Sequence, residues 1–490
     1  MAPNADDRTT GDIAASIPVA PTRRLVIVGG GFAGLYLAKK LGSANLQIVL
    51  LDRNNFHTFQ PLLYQVATAM LEPESVANAF RNIFQGQKNF HFRMVDVLRI
   101  DPGSKGVVTS AGRLGYDYLV IATGAATNFF GMQDMAKHAF VMKEISQSIA
   151  IRQQIFRNLE KALMTAEPTE RERLMNIVIV GGGPTGIELA GAIGELKKFI
   201  LPEDYPELDF RGMRITLVEA TDRLLNGMSE RASRMAHEAL AAFDVTFRFN
   251  TRITGYDGQT ATTAGGEALP TELLIWVAGV SGAPPLGLDR ARIAAGGRIT
   301  VDCFNLVPEY ENIFAIGDVA AMITPTTPHG HPMLAPVAIQ QAENLARNLA
   351  ALNLDPAVTL TPFGYKNHGL MATIGRNRAI VERKRLSFGG LPAWLAWLFV
   401  HLMSIVGFRN KLVALTNWAW NYLSYDRGMR LIISFSRNHQ AHTGNTKTRT
   451  ATDAPSQNAI PLTPAPPPHR LGSHRFPPGD RSTQKNFPNP

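Results

Sequence analysis

The sequence predicts an α/β protein with two parallel-sheet domains of the Rossmann-like kind, and three observations support this prediction. One phrase occurs twice, as RLVIVGGGFAGL from residue 24 and as MNIVIVGGGPTGIEL from residue 175. In both copies a β-branched apolar run meets Gly-x-Gly-x-x-Gly, and a helical pattern follows. In both copies the next predicted strand ends in an acidic residue.

The glycines of each phrase have separate tasks in the turn between strand and helix. The first allows a tight turn, the second lets a pyrophosphate approach the backbone, and the third lets the helix pack closely on the strand. The positive end of the helix then faces the phosphates. The six positions are Gly29, Gly31 and Gly34, then Gly181, Gly183 and Gly186. The sequence therefore predicts two dinucleotide sites.

The acidic residues are Asp52, at the end of LQIVLLD, and Glu219, at the end of RITLVE. An acid at this position binds a ribose 2′-hydroxyl and repels a 2′-phosphate, so Glu219 favours NADH over NADPH. Arg223 nearby argues in the opposite direction. Two dinucleotide sites in one chain indicate hydride transfer between them, and FAD with NADH is the economical pair.

Two further strand ends belong to the same picture. YDYLVIATG ends in Thr123 and Gly124, and NIFAIGD ends in Gly317 and Asp318. An aspartate at the carboxyl end of a strand can cap a following helix and bind a ribityl hydroxyl. A plain N-cap is the alternative interpretation of Asp318.

These phrases together resemble the two-dinucleotide-binding flavoproteins, whose architecture is that of glutathione reductase. Four more phrases are similar to type II NADH dehydrogenases, the non-proton-pumping NADH:quinone oxidoreductases. They are NNFHTFQPLLYQVAT, LIWVAGV, APVAIQQAENLA and MATIGRNRAIV, within residues 22–435. The resemblance implies bound FAD, NADH as donor, a quinone as acceptor, a homodimer, and peripheral attachment to the cytoplasmic face of the membrane.

The resemblance also implies the residues of both cofactor sites. Those for FAD are Gly29, Gly31, Gly34, Asp52, Arg53, Gln60, Val97, Thr123, Gly124, Asp318, Ala335, Pro336 and Val337. Those for NADH are Gly181, Gly183, Gly186, Glu188, Glu219, Ala278 and Gly279. We expect Glu188 in the first helical turn after the glycines, close to the nicotinamide. Its alternative role is to complement the helix dipole.

A predicted helix from Ala335 is expected to point its N-terminus at the flavin, where the positive end stabilises the reduced ring. By resemblance, Gln340 and Gln341 line the quinone site and Lys366 supplies a charge nearby. The alternative is that both glutamines are surface residues. The family usually has Ala-Gln where this chain has Ala335-Pro336, so we expect an altered quinone affinity or head-group preference.

The resemblance predicts a nested domain order. The FAD-binding domain comprises 22–150 and 284–376, the NADH-binding domain is 174–283, and a helix over 151–173 connects them. A membrane-association region follows at 377–435. Both ends of the chain, 1–21 and the basic, proline-rich 436–490, are expected to be disordered.

Charge and tryptophan are concentrated in the C-terminal part. Residues 376–490 carry 16 Lys and Arg against 4 Asp and Glu, and four of the five tryptophans. The segment 391–408 is apolar all round but slightly shorter than a spanning helix. The next helix has a polar stripe and an apolar stripe. The polar one is Asn410, Asn417, Asn421 and Ser424; the apolar one is Leu412, Leu415, Trp418 and Tyr422.

We predict that these amphipathic helices dip into one leaflet of an anionic membrane. A spanning segment and a dimer or core helix are the alternatives. A nucleic-acid partner is not expected, because the basic region contains no recognition motif.

The single cysteine, Cys303, excludes enzymes that need a cysteine pair, and no metal-ligand cluster is visible. Two rival functions stay open. One is a soluble NADH-dependent flavoprotein reductase that serves a small electron-transfer protein or oxygen. The other is a non-enzymatic NADH-binding regulator.

Overall fold

The structure is a computed structural model that describes residues 13–384, 386–424 and 430–432. The tail predicted to be disordered, 436–490, lies outside the described residues. The helices of the described part are α1 Phe32–Lys40, α2 Leu63–Ala67, α3 Phe80–Ile83, α4 Gln133–His138, α5 Ile145–Met164, α6 Pro168–Met175, α7 Pro184–Glu195, α8 Leu201–Asp204, α9 Glu230–Ala241, α10 Ala335–Leu354, α11 Leu391–Ser404 and α12 Phe408–Ser424.

The first glycine phrase lies on the central strand of a five-stranded parallel sheet. In order across the sheet the strands are Ile313–Ala315, Tyr118–Ile121, Arg24–Val28, Gln47–Asp52 and Phe90–Met94. The β-branched run is buried on both faces, as a parallel strand covered by helices requires. The distant strand Ile313–Ala315 joins this sheet and brings its carboxyl end beside the first glycines.

The second glycine phrase lies on the central strand of a sheet with the same plan. Its strands are, in order, Phe140–Val141, Leu273–Trp276, Ile177–Val180, Ile215–Val218 and Val245–Arg248. Phe140–Val141 falls inside the segment 22–150 assigned to the FAD domain, so that boundary was wrong. Two residues are too short a run for a strand to be recognised without its partner.

Six smaller sheets complete the described strands. They are Phe56–Thr58 with Ala77–Ala79; Val97–Asp101, Gly106–Thr109 and Gly112–Gly115; Ala125–Thr127 with Val280–Gly282; Ile253–Tyr256, Thr260–Thr263 and Ala268–Pro270; Ile293–Ala294, Arg298–Val301 and Ala320–Met322; and Leu370–Thr373, Ala379–Arg383 and Leu386–Gly390. The predicted boundary between 376 and 377 cuts the last of these sheets, because hydrogen bonds join its strands across that point.

The N-terminal segment differs from a second expectation. Residues 1–21 were expected to be disordered, but residues 13–21 pack against the body of the protein. Ile13 and Ile17 are 2% and 3% exposed and belong to the cluster beneath the first sheet. The Ile13 N–H donates to the Ala111 carbonyl at 2.9 Å. Two isoleucines four residues apart bury one face of a turn, and they stand among small and polar residues that give no apolar run.

The C-terminal helices α11 and α12 pack on the body by one side. Trp397 and Ala393 of α11 are buried, while Leu395, Phe399 and Met403 are exposed. Helix α11 has 14 residues, and none of the described helices has the length and apolar character needed to cross a membrane. The spanning alternative for 391–408 is therefore not supported by the described part of the chain.

The polar stripe of α12 faces the protein. The Asn410 amide donates to the Ala77 carbonyl at 2.7 Å, the Asn421 amide donates to the Met70 carbonyl at 2.9 Å, and Asn417 bonds the Glu72 carboxylate. The side chain of Ser424 lies outside the described part. The polar stripe therefore attaches α12 to the body of the protein.

The apolar stripe of α12 does not form one continuous face. Leu412 and Leu415 are exposed, whereas Trp418 turns inward and donates its indole N–H to Gln65 Oε1 at 2.8 Å. Tyr422 packs beneath the Arg376 guanidinium at 4.9 Å. Helical spacing assigned these four residues to one face, but contacts with the body separate them.

Candidate active site

The first glycine turn is shaped by close backbone approaches. Gly29 has a φ of +101°, and a Cβ there would lie 2.4 Å from the Ala122 carbonyl oxygen. A Cβ on Gly34 would lie 1.9 Å from the Gly29 carbonyl oxygen. A Cβ on Gly31, by contrast, would meet nothing within 4 Å. Two glycines are therefore needed by the fold, and the third leaves an open approach to the N-terminus of α1.

Asp52 holds this turn from the neighbouring strand. Its carboxylate accepts the Gly30 N–H at 2.6 Å and the Asn54 N–H at 2.7 Å, and burial raises its pKa. On the other side, the His57 Nδ1–H donates to the Gly30 carbonyl at 3.0 Å. Burial lowers the pKa of His57 to about 4, so the ring is neutral. No local pattern in the sequence reveals this contact.

Three strand ends meet at the carboxyl edge of the first sheet. Val28 pairs with Ile121, and Ile121 pairs with Ala315, so Thr123 and Asp318 follow on adjacent strands. The Thr123 hydroxyl is buried and has no hydrogen-bond partner among the described residues. Gly124 has a φ of +68° and an open side where a Cβ would meet nothing within 4 Å. An orphaned hydroxyl beside open backbone fits a bound flavin dinucleotide.

Asp318 does not cap a helix, so that alternative was wrong. It lies in a single 3₁₀ turn, Gly317–Val319, and a strand follows directly. Burial raises the pKa of its carboxyl group. Among the described residues no group donates a hydrogen bond to this carboxylate, which leaves its oxygens available to a hydroxyl-bearing ligand.

Arg298 supports the turn that carries Asp318. The sequence analysis did not identify this residue. Its Nε donates to the Asp318 carbonyl at 3.1 Å, and its Nη atoms donate to the His329 and His331 carbonyls, both at 2.9 Å. The side chain is buried on a short strand. A guanidinium that serves distant backbone carbonyls has no local sequence pattern, so no signal could have revealed it.

Helix α10 begins at Ala335, with Pro336 exposed in its first turn and Val337 buried. Proline is tolerated here because its missing N–H has no partner in a first turn. Gln341, one turn further, is 1% exposed, and its Oε1 accepts the Gly317 N–H at 2.7 Å. The Gln341 amide oxygen thus holds the turn that carries Asp318, and a quinone contact by Gln341 stays a prediction.

The Gln340 amide is also occupied. Its Nε2 donates to the Lys366 carbonyl at 3.0 Å, and its Oε1 accepts the Lys366 N–H at 2.9 Å. This pair of bonds fastens the 365–367 segment to α10, while the Lys366 side chain is exposed. Each amide atom of Gln340 thus contacts Lys366 once, and a quinone contact by Gln340 stays a prediction.

The remaining residues assigned to FAD by resemblance lie around the same edge. Arg53 follows Asp52 directly, is exposed, and has its Nε 3.8 Å from an Asp96 carboxylate oxygen. Gln60 begins a 3₁₀ turn and is exposed. Val97 begins the first strand of a small antiparallel sheet and packs against the cluster beneath the main sheet.

The second glycine turn repeats the geometry of the first. A Cβ on Gly181, where φ is +118°, would lie 2.8 Å from the Ala278 Cα, and one on Gly186 would lie 1.8 Å from the Gly181 carbonyl oxygen. A Cβ on Gly183 would meet nothing within 4 Å. Gly279 lies beside Ala278, where a Cβ would be 2.8 Å from the Phe130 ring.

Glu219 repeats the contact of Asp52, because its Oε2 accepts the Gly182 N–H at 2.6 Å. Its Oε1 accepts the Thr221 N–H at 3.0 Å. The Arg223 guanidinium forms other hydrogen bonds, because it donates to the Met228 and Asn226 carbonyls at 3.1 and 3.3 Å. The carboxylate, rather than the guanidinium, therefore faces the glycine turn.

Glu188 lies in the second turn of α7 rather than the first, because the helix begins at Pro184. Its role as a complement to the helix dipole in the first turn is therefore wrong. Its Oε1 accepts the Thr373 N–H at 3.4 Å. The residue is half-buried, but protein atoms enclose its carboxyl group, and this burial raises its pKa to about 8. Glu188 therefore holds a proton at neutral pH.

Replacing Glu188 with Gln is expected to change how stability depends on pH. Because an unfolded glutamate titrates near about 4.3, the folded wild type retains a proton that the unfolded chain has lost until pH reaches about 8. Wild-type stability therefore falls through this window, and the variant lacks this contribution. Melting temperatures from pH 5 to 9 should show the variant gaining on the wild type up to pH 8 and levelling beyond.

Glu238→Gln, at an exposed position of α9, controls for the loss of one carboxyl group. A constant difference between Glu188→Gln and wild type at every pH would show that Glu188 titrates normally.

Comparisons with known proteins agree with this geometry. The sequence profile of the pyridine nucleotide-disulphide oxidoreductase family matches residues 23–342. The type II NADH:quinone oxidoreductase NdhA of Mycobacterium tuberculosis is 35% identical over 432 residues, which cover 85% of this chain and 90% of the relative. The mitochondrial internal alternative NAD(P)H-ubiquinone oxidoreductase A1 of Solanum tuberosum is 29% identical, over 81% of this chain and 85% of the relative.

A solved structure shows the same fold. NDH2 from Plasmodium falciparum, in complex with NADH, superposes with a TM-score of 0.75 at 18% identity. The match covers 84% of this chain and 100% of that chain. At this identity the likeness concerns the fold alone.

Proposed function

Since the chain belongs to the type II NADH:quinone oxidoreductases of the pyridine nucleotide-disulphide oxidoreductase family, we propose that it oxidises NADH through bound FAD and reduces a membrane quinone without pumping protons. The observation that carries this function is the pair of glycine turns, each closed by a carboxylate that accepts a turn N–H at 2.6 Å. FAD, when bound, accepts a hydride from NADH and passes two electrons to the quinone.

We assign the FAD site to the carboxyl edge of the first sheet. Gly31 admits the pyrophosphate to the N-terminus of α1, and Asp52 takes a ribose hydroxyl while it holds the turn. The orphaned Thr123 hydroxyl and the Asp318 carboxylate supply polar contacts to the ribityl and ring portions. The N-terminus of α10 places positive potential beside this site.

We assign the NADH site to the matching edge of the second sheet. Gly183 admits the pyrophosphate, while Ala278 and Gly279 form a flat backbone wall against the turn. Protonated Glu188 can donate to the nicotinamide carboxamide and orient the ring. The chain's own contribution is thus to position the donor, hold a proton at the Glu188 carboxyl group and exclude water.

Replacing Glu219 with Gln is expected to relax the preference for NADH. The carboxylate repels a 2′-phosphate, and the amide keeps the shape but removes the charge. We expect the ratio of kcat/KM for NADH to that for NADPH to fall roughly tenfold, equivalent to about 1.4 kcal/mol. Steady-state rates with a soluble acceptor measure this ratio. An unchanged ratio would assign selectivity to another residue.

We propose that the protein binds the cytoplasmic face of the membrane peripherally through α11 and α12. Large apolar side chains are exposed along both helices, and a patch of this kind on a soluble surface is unusual. They are Leu391, Leu395, Phe399, Val400, Met403, Phe408, Leu412 and Leu415. The basic residues Arg409 and Lys411 adjoin them and suit anionic headgroups. A soluble reductase is not expected to expose an apolar surface of this kind.

A homodimer is also part of the proposal. The resemblance implies it, and the exposed Leu98 and Leu286 lie together where Arg99 pairs with Leu286. This pair offers apolar surface to a second copy. Light scattering of the detergent-solubilised protein, corrected for bound detergent by refractive index and absorbance, measures the protein mass.

Stopped-flow spectroscopy tests the function as a whole. The purified protein should be yellow, NADH should bleach it, and ubiquinone or menaquinone analogues should restore the colour. A colourless protein, or a yellow one that NADH does not bleach, would contradict the proposed function.

A further inference from the structure

Phe130 is an exposed aromatic residue in a backbone conformation that phenylalanine rarely adopts. Its side chain is 64% exposed, and its φ is +51°. A left-handed φ is unfavourable for a residue with a large side chain. Such strain persists only where the surroundings enforce it, and it is common at ligand-binding sites.

Hydrogen bonds with the second sheet fix this conformation. The Asn128 N–H donates to the Gly279 carbonyl at 3.1 Å, and the Trp276 indole N–H donates to the Asn128 carbonyl at 2.9 Å. The Asn128 side-chain oxygen accepts the Phe130 N–H at 2.8 Å. The end of the strand Leu273–Trp276 therefore determines where Phe130 lies.

The Phe130 ring lies beside the second glycine turn. A Cβ on Gly279 would be 2.8 Å from this ring, so glycine is what allows the close approach. The ring also meets Trp276, with 6.4 Å between the ring centroids. Ala278, the neighbour of Gly279, abuts Gly181 of the turn. The ring is thus next to the backbone wall of the proposed NADH site.

The order of the strands indicates which half of NADH passes this ring. Glu219 follows the strand on one side of Ile177–Val180, and Gly279 follows the strand on the other side. An acid in the position of Glu219 binds the ribose of the adenosine half. Because the pyrophosphate lies between them at Gly183, the nicotinamide half extends toward Gly279 and Phe130.

A two-stranded ribbon runs from the same point to the first site. Its strands are Ala125–Thr127 and Val280–Gly282. One end adjoins Gly124, whose carbonyl accepts the Ala283 N–H at 3.1 Å, and the other end adjoins Gly279. The nicotinamide must lie toward the flavin for hydride transfer, so this direction agrees with the one that the strand order gives.

We propose that the Phe130 ring is part of the NADH site and packs against the nicotinamide half of the donor. The inference rests on the proposed function, which makes NADH the donor. Part of the ring contacts Gly279, and the remaining surface is open to the ribose and the nicotinamide ring. Bound NADH covers this apolar surface, which gives a reason for holding an exposed phenylalanine in a strained conformation.

The test measures anaerobic flavin reduction by NADH in the Phe130→Asn holoenzyme in detergent. Asparagine tolerates a left-handed φ, so the melting temperature should stay equal or rise. The apparent Kd for NADH should rise about 2- to 10-fold, because one aromatic contact is lost. The absorbance spectrum of the bound FAD should be unchanged.

Two further variants separate the ring from the backbone. Lys105 also has a left-handed φ, +47°, and lies between the strands Val97–Asp101 and Gly106–Thr109. Lys105→Asn relieves the same kind of strain and should keep the wild-type Kd for NADH. Phe130→Leu removes the ring but keeps an apolar side chain, so its Kd for NADH should rise even if asparagine disturbs the loop.

Inhibition by 5′-AMP distinguishes a local contact from distortion of the second sheet. AMP carries only the adenosine half, so its inhibition constant should be the same in Phe130→Asn and wild type. An unchanged Kd for NADH in both Phe130 variants would overturn the inference, and so would an inhibition constant for AMP that rises as much as the Kd for NADH. A yellow wild type that NADH does not bleach would instead contradict the proposed function itself.

Discussion

A Gly183→Ala protein is expected to purify yellow and fully folded, yet NADH should bleach it several-fold more slowly at concentrations that just saturate the wild type. Gly183 has a φ of −75° and its Cβ position is open, so alanine fits the fold without strain. The added methyl group occupies the side from which the pyrophosphate approaches the backbone. We expect NADH affinity to fall roughly 100-fold, about 2.7 kcal/mol, in stopped-flow reduction.

Two matched variants separate binding from folding. Gly31→Ala places the same methyl group in the first turn, where it is equally open, and should yield a folded but largely colourless protein. Gly186→Ala directs its Cβ to 1.8 Å from the Gly181 carbonyl oxygen and should destabilise the second domain. Normal bleaching of Gly183→Ala by NADH would contradict the assignment of the NADH site to this turn.

The triple variant Leu395→Ser, Phe399→Ser, Met403→Ser should leave the membrane fraction while keeping NADH oxidation with a soluble acceptor. The three residues are 53%, 64% and 49% exposed, and their spacing of four places them on one stripe of α11. Each side chain removed from an apolar phase forfeits roughly 1.5–3 kcal/mol. Together they should lower partitioning into anionic vesicles by more than about a thousandfold, measured by co-sedimentation.

Deleting α11 and α12 would be a poorer test, because Trp397 and Ala393 are buried against the body. The matched control is the double variant Met164→Ser, Leu354→Ser, which removes exposed apolar residues from α5 and α10. Vesicle binding that survives the triple variant would assign attachment to another surface.

The two glycine phrases illustrate what sequence alone can predict. Strand, turn and helix follow one another within about 20 residues, and the acid that closes each turn ends the next strand. Both carboxylates indeed reach a glycine N–H at 2.6 Å. Family resemblance added the order of the segments, and comparison with known proteins confirms the fold, the FAD and NADH cofactors and the quinone reaction.

Gln340 and Gln341 have protein contacts that this reasoning does not reveal. Their residue type suits a quinone, but one amide holds Gly317 and the other holds Lys366. The asparagines of α12 were predicted to line an interfacial helix, and they dock it on the 70–77 segment instead. An amide bonds whichever partner lies nearest, and its own neighbours in sequence do not reveal that partner.

Short segments of sequence suffice to predict the two phosphate turns, their acids and the apolar C-terminal helices, because these depend on local steric limits and periodicity. Which polar groups are free depends instead on how distant segments pack. The Trp418 indole donates to Gln65, 353 residues away in the chain, whereas the buried Trp397 N–H on the neighbouring helix has no partner among the described residues. Whether a buried donor finds an acceptor depends on the complete fold, because the acceptors come from segments that are distant in sequence.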